Sequence, residues 1–511
     1  MKTWQDRVNE EAVLKTYSVY KKPFDQQPNV RKHGPKATMV KPDDDKVRIS
    51  LVDAINRTGL KDGMTISFHH HFRSGDAILN KVMHTLSEMG FKNLTIAPSS
   101  LSAIHEPLIK LIEKGVVSKI ETSGLRGALA EAVSKGLLEE PVVFRSHGGR
   151  ARAIEAGETK IDVAFLGVPS CDLYGNANGF SGNAICGSLG YAKVDAAYAE
   201  NVVLITDQVV EYPNTPASIP QNQVDSIVMI ENIGDPEKIA SGATRFTKNP
   251  KELQIARFAS DVIEYSSYFR DGFSFQTGSG GASLAVTRFL RERMLKHQIK
   301  ASFALGGITK PMVELHEEGL IKTLFDVQSF DLTAAHSLRE NHDHIEIDAA
   351  LYANVHSKGC VANKLNFVIL SALEIDRDFN VNVLTGSNGM IMGASGGHSD
   401  TAACADVTIV VAPLFRGRIP TLVDAVQTIV TPGECVDVLV TERGVAINPL
   451  RTDLIEQLAE SGVPIVPIDS LLSQVKDIVG QPKAIAYKDQ VVGVVEYRDG
   501  SLMDIIRAVE A

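Results

Sequence analysis

No stretch of this sequence approaches the roughly 18 consecutive apolar residues of a membrane-spanning helix, although 44% of its 511 residues are hydrophobic. The opening segment, MKTWQDRVNEEAVLKTY, is charged throughout and has none of the apolar core that a secretory signal requires. Both absences predict a soluble, cytoplasmic protein. Cysteine is sparse: five residues (Cys171, Cys186, Cys360, Cys404, Cys435), an odd number at wide spacing with no short pair of the zinc or redox kind. That argues against a disulfide scaffold and predicts reduced thiols in packed domains. Basic charge is short too, with 52 Lys and Arg against 62 Asp and Glu and a formal net charge of -10. A nucleic-acid partner is disfavoured, because duplex binding relies on clustered cations. An anionic substrate would need a local basic or amide-lined pocket. Low-complexity tracts are absent, as is a nucleoside-triphosphate loop of the form G-x-x-x-x-G-K-[ST].

What is present begins with length. A chain of 511 residues is too long for one core and suggests two to four domains. An internal repeat narrows that range. DAINRTGLKDGMTISFHHHFRSGDAILNKVMHTLSEMG, from Asp53, and DVIEYSSYFRDGFSFQTGSGGASLAVTRFLRERMLKH, from Asp261, both read helix, Asp-Gly turn, short strand, loop, helix. In the first copy Ile78, Leu79, Val82, Met83, Leu86 and Met89 recur at helical spacing; in the second Leu284, Val286, Phe289, Leu290 and Met294 approximate it. Gly115 and Gly319 then end helices at nearly equal distances, followed by VVSKI and LIKTL as strands. Strands alternating with helices at this period predict parallel sheets covered on both faces.

The expected fold class is therefore α/β, with two similar domains, each a largely parallel sheet covered by helices. Residues 1–39 read as a polar arm that wraps or links rather than packs, 40–249 as the first domain, and 250–511 as the second. Within the second, Asp406–Phe415, Val436–Ile447 and Val463–Ile468 are buried-strand candidates. The closing QVVGVVEYRDGSLMDIIRAV reads as strand, turn, helix.

One carboxylate stands out. In FVILSALEID, Glu374 sits in what reads as a buried strand, where a carboxylate is costly unless paired or hydrogen-bonded. It is either a strand-end group that reaches water or a reactive carboxylate. Two glycine loops flank it, TGSGGAS (Thr277 to Ser283) and GASGGHSD (Gly393 to Asp400). Parallel strands release their loops at one edge, so the three segments can converge. A dinucleotide fingerprint is one reading of the first loop, but its third glycine is missing and no acidic ribose ligand stands at the expected distance.

These segments, with VLVTERGVAI, resemble motifs of the coenzyme A transferase superfamily. In acetate-type members an equivalent strand carries a glutamate that attacks the thioester, and a glycine pair supplies oxyanion N–H groups. Within the superfamily, the chain from about Asp45 onward is similar to the citrate lyase alpha-subunit family, citrate:acyl-carrier-protein transferases, through SFHHHFRSGD, TSGLRG, SHGGR, DVAFLGVPSCDLYGNANG, ALGGIT and APLFRGRIPTLVD.

The resemblance implies thioester exchange without ATP: acetate leaves a carrier thiol and citrate takes its place. It implies no covalently bound cofactor, a CoA-like substrate thioester of phosphopantetheine type with acetyl-CoA as surrogate, a citryl lyase (beta) partner, an acyl carrier protein (gamma) partner, and an oligomer. It assigns Glu374 to the site, either as a covalent nucleophile or beside a direct attack by citrate. Gly396 and Gly397 are the matching candidates for the oxyanion hole; His398, beside them, is a candidate catalytic contact, and Gly278, Gly280 and Gly281 would let the pantetheine arm or its diphosphate pass close to the chain. Citrate carries up to three negative charges, so Arg73, Arg126, Arg150 and His70, with neighbouring His69 and His71, are candidate substrate ligands. The triple histidine does not predict a metal, since alternate strand residues face opposite ways and no carboxylate completes a site. Competing readings are an acyl-CoA hydrolase, a citramalate-specific transferase, a nicotinamide-dependent dehydrogenase, and a non-catalytic binding subunit on the same fold.

Overall fold

A computed structural model of the chain describes residues 8, 16–24, 31–240, 244, 247–480 and 482–510. The two repeats each build a sheet. In the first half, the strands Thr65–Ser67, Leu94–Ile96 and Val117–Thr122 lie side by side; in the second, Phe273–Thr277, Ala301–Ile308 and Ile321–Ser329 do the same. All of these pairings are parallel. Each run of three is extended on its other side by a later strand, Val163–Gly167 in one sheet and Phe367–Ser371 in the other. The α/β expectation, with two similar halves, matches this architecture.

Local signals explain the covering helices. Ile78, Leu79, Val82, Met83 and Leu86 are all buried along the Ile78–Glu88 helix, the apolar stripe a helix period of 3.6 presents to a sheet. Asn249 caps the Pro250–Tyr265 helix by accepting from the Lys251 N–H, with proline in the first turn. Gly115 and Gly319 both adopt φ of 70° after their helices, the left-handed stop that glycine takes without steric cost.

Three expectations need correction. The C-terminal segment is a hairpin rather than strand, turn, helix: Tyr487–Glu496 pairs antiparallel with Leu502–Val509. Leu502, Met503, Asp504, Ile505 and Ile506 are all buried, and a short continuous apolar run does not distinguish a two-sided strand from a buried helix. The hairpin also leaves the second half, because Gly493, Val494 and Val495 pair with Val142, Val143 and Phe144 of the first sheet. That sheet thereby reaches ten strands. Val463–Ile468 contributes a single bridge, Ile465 to Val445; Pro464 and Pro467 remove the ladder donors a strand would need. The apolar run around Glu374 is two strands. Phe367–Ser371 belongs to the main sheet, and after a break at Ala372–Leu373 the strand Glu374–Asp376 joins a small separate sheet with Val381–Asn382 and Leu422–Val423. Within the arm, Tyr20 is buried, its N–H donates to the Leu502 carbonyl and its hydroxyl donates to Glu434, whereas residues 31–39 are exposed.

Candidate active site

The carboxyl ends of strands from both halves converge on a cavity of about 820 Å³. On the first-half wall are His70, Arg73, Asp76, Ser102, His105, Arg126, His147 and Tyr191; on the second-half wall are Gln276, Gly278, Gln328, Tyr352, Leu373 and the segment Gly393–His398. The sheet-edge rule for α/β folds thus holds here, at the seam between two sheets.

The GASGGHSD loop is built by close packing. Gly396 has a left-handed φ of 56°, and a β-carbon at Gly397 would overlap the Tyr352 hydroxyl. Both glycines line the cavity, and among the described residues their N–H groups donate to no backbone or side-chain acceptor. The loop is anchored from the first half: the His147 N–H donates to the Gly396 carbonyl at 2.8 Å. Asp400 completes the anchor by accepting from the Ser146 hydroxyl at 2.7 Å and the Gly148 N–H at 2.8 Å. Burial raises the Asp400 carboxyl to about 6, against the opposing influence of Arg498 and those donors.

His398 lines the cavity with both ring nitrogens engaged, Nδ1 with the Thr431 hydroxyl at 2.7 Å and Nε2 with the Ser371 carbonyl at 3.0 Å. Burial lowers it to about 4, so it is neutral at physiological pH. Glu374 is buried but is not a cavity-lining residue; its neighbour Leu373 and the nearby Val383 form the wall. One carboxylate oxygen accepts from the Asn382 amide at 2.9 Å and the Gln427 N–H at 3.0 Å. Burial raises its pKa, and these two donors oppose the rise.

The cationic candidates separate. Arg126 lines the cavity, is exposed to it, and makes no hydrogen bond or ion pair with any described residue. Arg73 also lines it, but its guanidinium donates to the carbonyls of Ile239 and Ser329 and its backbone has a left-handed φ of 52°. Arg150 lies outside the lining: it forms a two-pronged pair with Asp195 at 2.7 and 2.8 Å and donates to the Ala97 carbonyl. The three histidines diverge. His69 bonds the Gly167 carbonyl, His71 accepts from the Tyr191 N–H, and His70 faces the cavity against Ser99. Of the first glycine loop, Gly278 lines the cavity, Gly280 caps the Gly281–His297 helix, and Gly281 faces the Glu252 carboxylate.

Several residues escaped sequence reasoning. His147 stands three residues before Arg150 in SHGGR, and its ring packs on Tyr191 at 4.4 Å; the motif was visible, but only its arginine suggested a ligand. Asp76, His105 and Tyr352 carry no local signal. Arg416, at the rim, holds the carbonyls of Ala372 and Leu373 at the break before Glu374.

Residues 44–509 match the family described as citrate lyase, alpha subunit (CitF). The chain belongs to the citrate lyase alpha-subunit family. It is 61% identical over 467 residues to the citrate lyase alpha chain of Haemophilus influenzae, covering 91% of this chain and 93% of that one. The Klebsiella pneumoniae chain of the same name is 59% identical over 465 residues, covering 91% and 92%. A Streptococcus mutans structure described as a citrate lyase alpha subunit in complex with citrate superposes with a TM-score of 0.96 at 56% identity, covering 98% of both chains. The malonate decarboxylase alpha subunit of Acinetobacter baumannii, at 15% identity, TM-score 0.63 and coverage of 85% and 88%, shares the fold. Members of this citrate lyase family are transferases, and the alpha-chain designation places them in a multi-subunit enzyme. Among the described residues, no helix is long and apolar enough to cross a membrane.

Proposed function

We propose that the seam cavity exchanges a carrier thioester between acetate and citrate by direct attack of citrate. A citrate carboxylate oxygen adds to the acetyl carbonyl, and the resulting oxyanion accepts the Gly396 and Gly397 N–H groups. The thiolate leaves, giving a citric acetic anhydride. That thiolate then adds to the citryl carbonyl of the anhydride, and acetate departs with the bridging oxygen. The carbon–sulfur bond broken in the first half is replaced by the one formed in the second, so no external energy source is needed. No proton changes hands either. This accords with His398, which is already hydrogen-bonded on both nitrogens.

The observation that carries this reading is the pair of unclaimed N–H groups at Gly396 and Gly397 opening onto the same cavity as the unpaired Arg126. Arg126 and His70 are the citrate ligands; Arg73 adds positive potential from a fixed position. Gly278 gives the pantetheine arm close passage, whereas Gly280 and Gly281 are not among the lining residues and a β-carbon at Gly281 would face the Glu252 carboxylate. Glu374 stands behind Leu373 as a buried charge that holds Asn382 and Gln427. The thioester donor is the prosthetic group of an acyl carrier (gamma) subunit, and the citryl thioester passes to a lyase (beta) subunit.

Acetate release from acetyl-CoA, measured with and without citrate, tests the reading. Release that depends on citrate supports it, and release without citrate makes the chain a hydrolase. Comparing citrate with citramalate as acceptor then fixes the acid.

A further inference from the structure

His70 offers its ring to the cavity, and its role depends on which nitrogen carries the proton. Ser99 supplies the answer. Its hydroxyl oxygen accepts the His70 backbone N–H at 2.9 Å and lies 2.6 Å from His70 Nδ1. Ser99 is completely buried, so its hydroxyl hydrogen needs an acceptor inside the protein. Among the described residues the one hydrogen-bonding acceptor is His70 Nδ1. With Nδ1 occupied as an acceptor, the ring proton of neutral His70 sits on Nε2.

The surroundings hold this state. The ring stacks against Tyr191, at 4.8 Å, and His147, at 5.5 Å, which pack on each other at 4.4 Å. Desolvation, with His147, His69 and Arg150 nearby, keeps its pKa well below the ordinary histidine value. Gln328, another cavity-lining residue, also lies near the ring.

We infer that Ser99 is a positioning residue that locks His70 as the Nε2–H tautomer, so that the cavity carries a fixed neutral donor for a citrate carboxylate. The citrate part rests on the transferase reading above; the tautomer part does not. An N–H donor with no acceptor function on that edge favours a carboxylate ligand and gives His70 no part in proton transfer.

The test combines nitrogen-15 histidine spectra of the full chain with kinetics. In the wild type, the His70 signals, assigned by their loss in His70→Asn, are expected to show a protonated Nε2 and an unprotonated, hydrogen-bonded Nδ1. Ser99→Ala should shift them toward mixed tautomers and raise KM for citrate about tenfold, the loss expected for one hydrogen bond to a charged group. Its kcat should stay within about twofold of wild type, since the bond is made equally to bound citrate and to the transition state. Ser99→Thr, which keeps the hydroxyl, should restore both readouts. A protonated Nδ1 in the wild type overturns the lock, whether or not the variants fold. An unchanged citrate KM in Ser99→Ala overturns the donor role. If citrate-independent acetate release removes the transferase reading, the wild-type spectrum still decides the tautomer.

Discussion

At the scale of single residues, the electrostatics of the cavity are set by burial more than by charge pairing. His147 is lowered to about 3 by burial with Arg150 nearby, and His398 to about 4 by burial. Neither should contribute a limb near the usual histidine value of about 6.5 to the pH profile of kcat/KM. Among the described arginines that line the cavity, Arg126 is the one whose side chain makes no hydrogen bond or ion pair. Arg126→Ala is expected to raise KM for citrate by roughly ten- to a hundredfold, the scale of a lost charge-assisted hydrogen bond, while KM for acetyl-CoA stays near its original value; initial-rate kinetics with each substrate varied in turn would check it. Residue type was legible in the sequence at Arg126, where an arginine in a glycine-flanked loop suggested an anion ligand. At Arg150 the same cue pointed to a group that is spent on Asp195, a partner 45 positions away. Sequence supplies the charge; only the fold shows whether a counter-ion has already claimed it.

The decisive element is the Gly393–Asp400 loop. Gly397→Ala would push a methyl into the Tyr352 hydroxyl and displace the N–H pair, so kcat should fall by about 10²–10³, as expected for loss of an oxyanion donor. Stopped-flow or steady-state acetate release would measure it. The loop also has a pH dependence through Asp400, raised to about 6. As a carboxylate, Asp400 accepts from Ser146 and Gly148 and keeps His147 against the Gly396 carbonyl. Activity should therefore be present above about pH 6 and decline below it, and Asp400→Asn should abolish that limb at a lower plateau. Stability runs in the opposite direction. The folded state binds this proton more tightly than the unfolded chain, so the contribution of Asp400 is most favourable at low pH and is lost as pH rises through about 6. The glycine pattern announced this loop, and the repeat announced the strands that deliver it. The break between Ser371 and Glu374 was hidden, because LSALEID is continuous in hydrophobicity and the kink depends on Arg416, some 40 residues later, capturing the carbonyls of Ala372 and Leu373.

Across the whole molecule, the chain closes on itself. The C-terminal hairpin completes the first sheet, and Glu496 on it receives two hydrogen bonds from Arg145, at 2.6 and 3.0 Å, in a buried cluster with Glu121 and Thr159. Removing Glu496 takes the two-pronged partner from buried Arg145 and leaves Glu121 as its remaining carboxylate. Glu496→Ala should cost about 3–5 kcal/mol of stability in urea unfolding while leaving KM for citrate unchanged. Burial would raise Glu121, but Arg145 and Lys119 draw it down to about 2; its contribution is present above pH 4.5 and is lost as pH falls toward 2. Two similar parallel-sheet halves could be read from the repeat, since strand–helix alternation is a local signal. The return of residues 487–509 to the first sheet could not, because strand pairing across some 350 residues leaves no mark in either partner. Direct attack by citrate is tested by the fate of oxygen in a single turnover of enzyme with acetyl-CoA and citrate labelled with oxygen-18 in its carboxylates. Direct exchange predicts acetate carrying one labelled oxygen and an unlabelled protein. Unlabelled acetate with the label on Glu374 would contradict it and establish a glutamyl intermediate, and acetate carrying a solvent oxygen would establish hydrolysis instead.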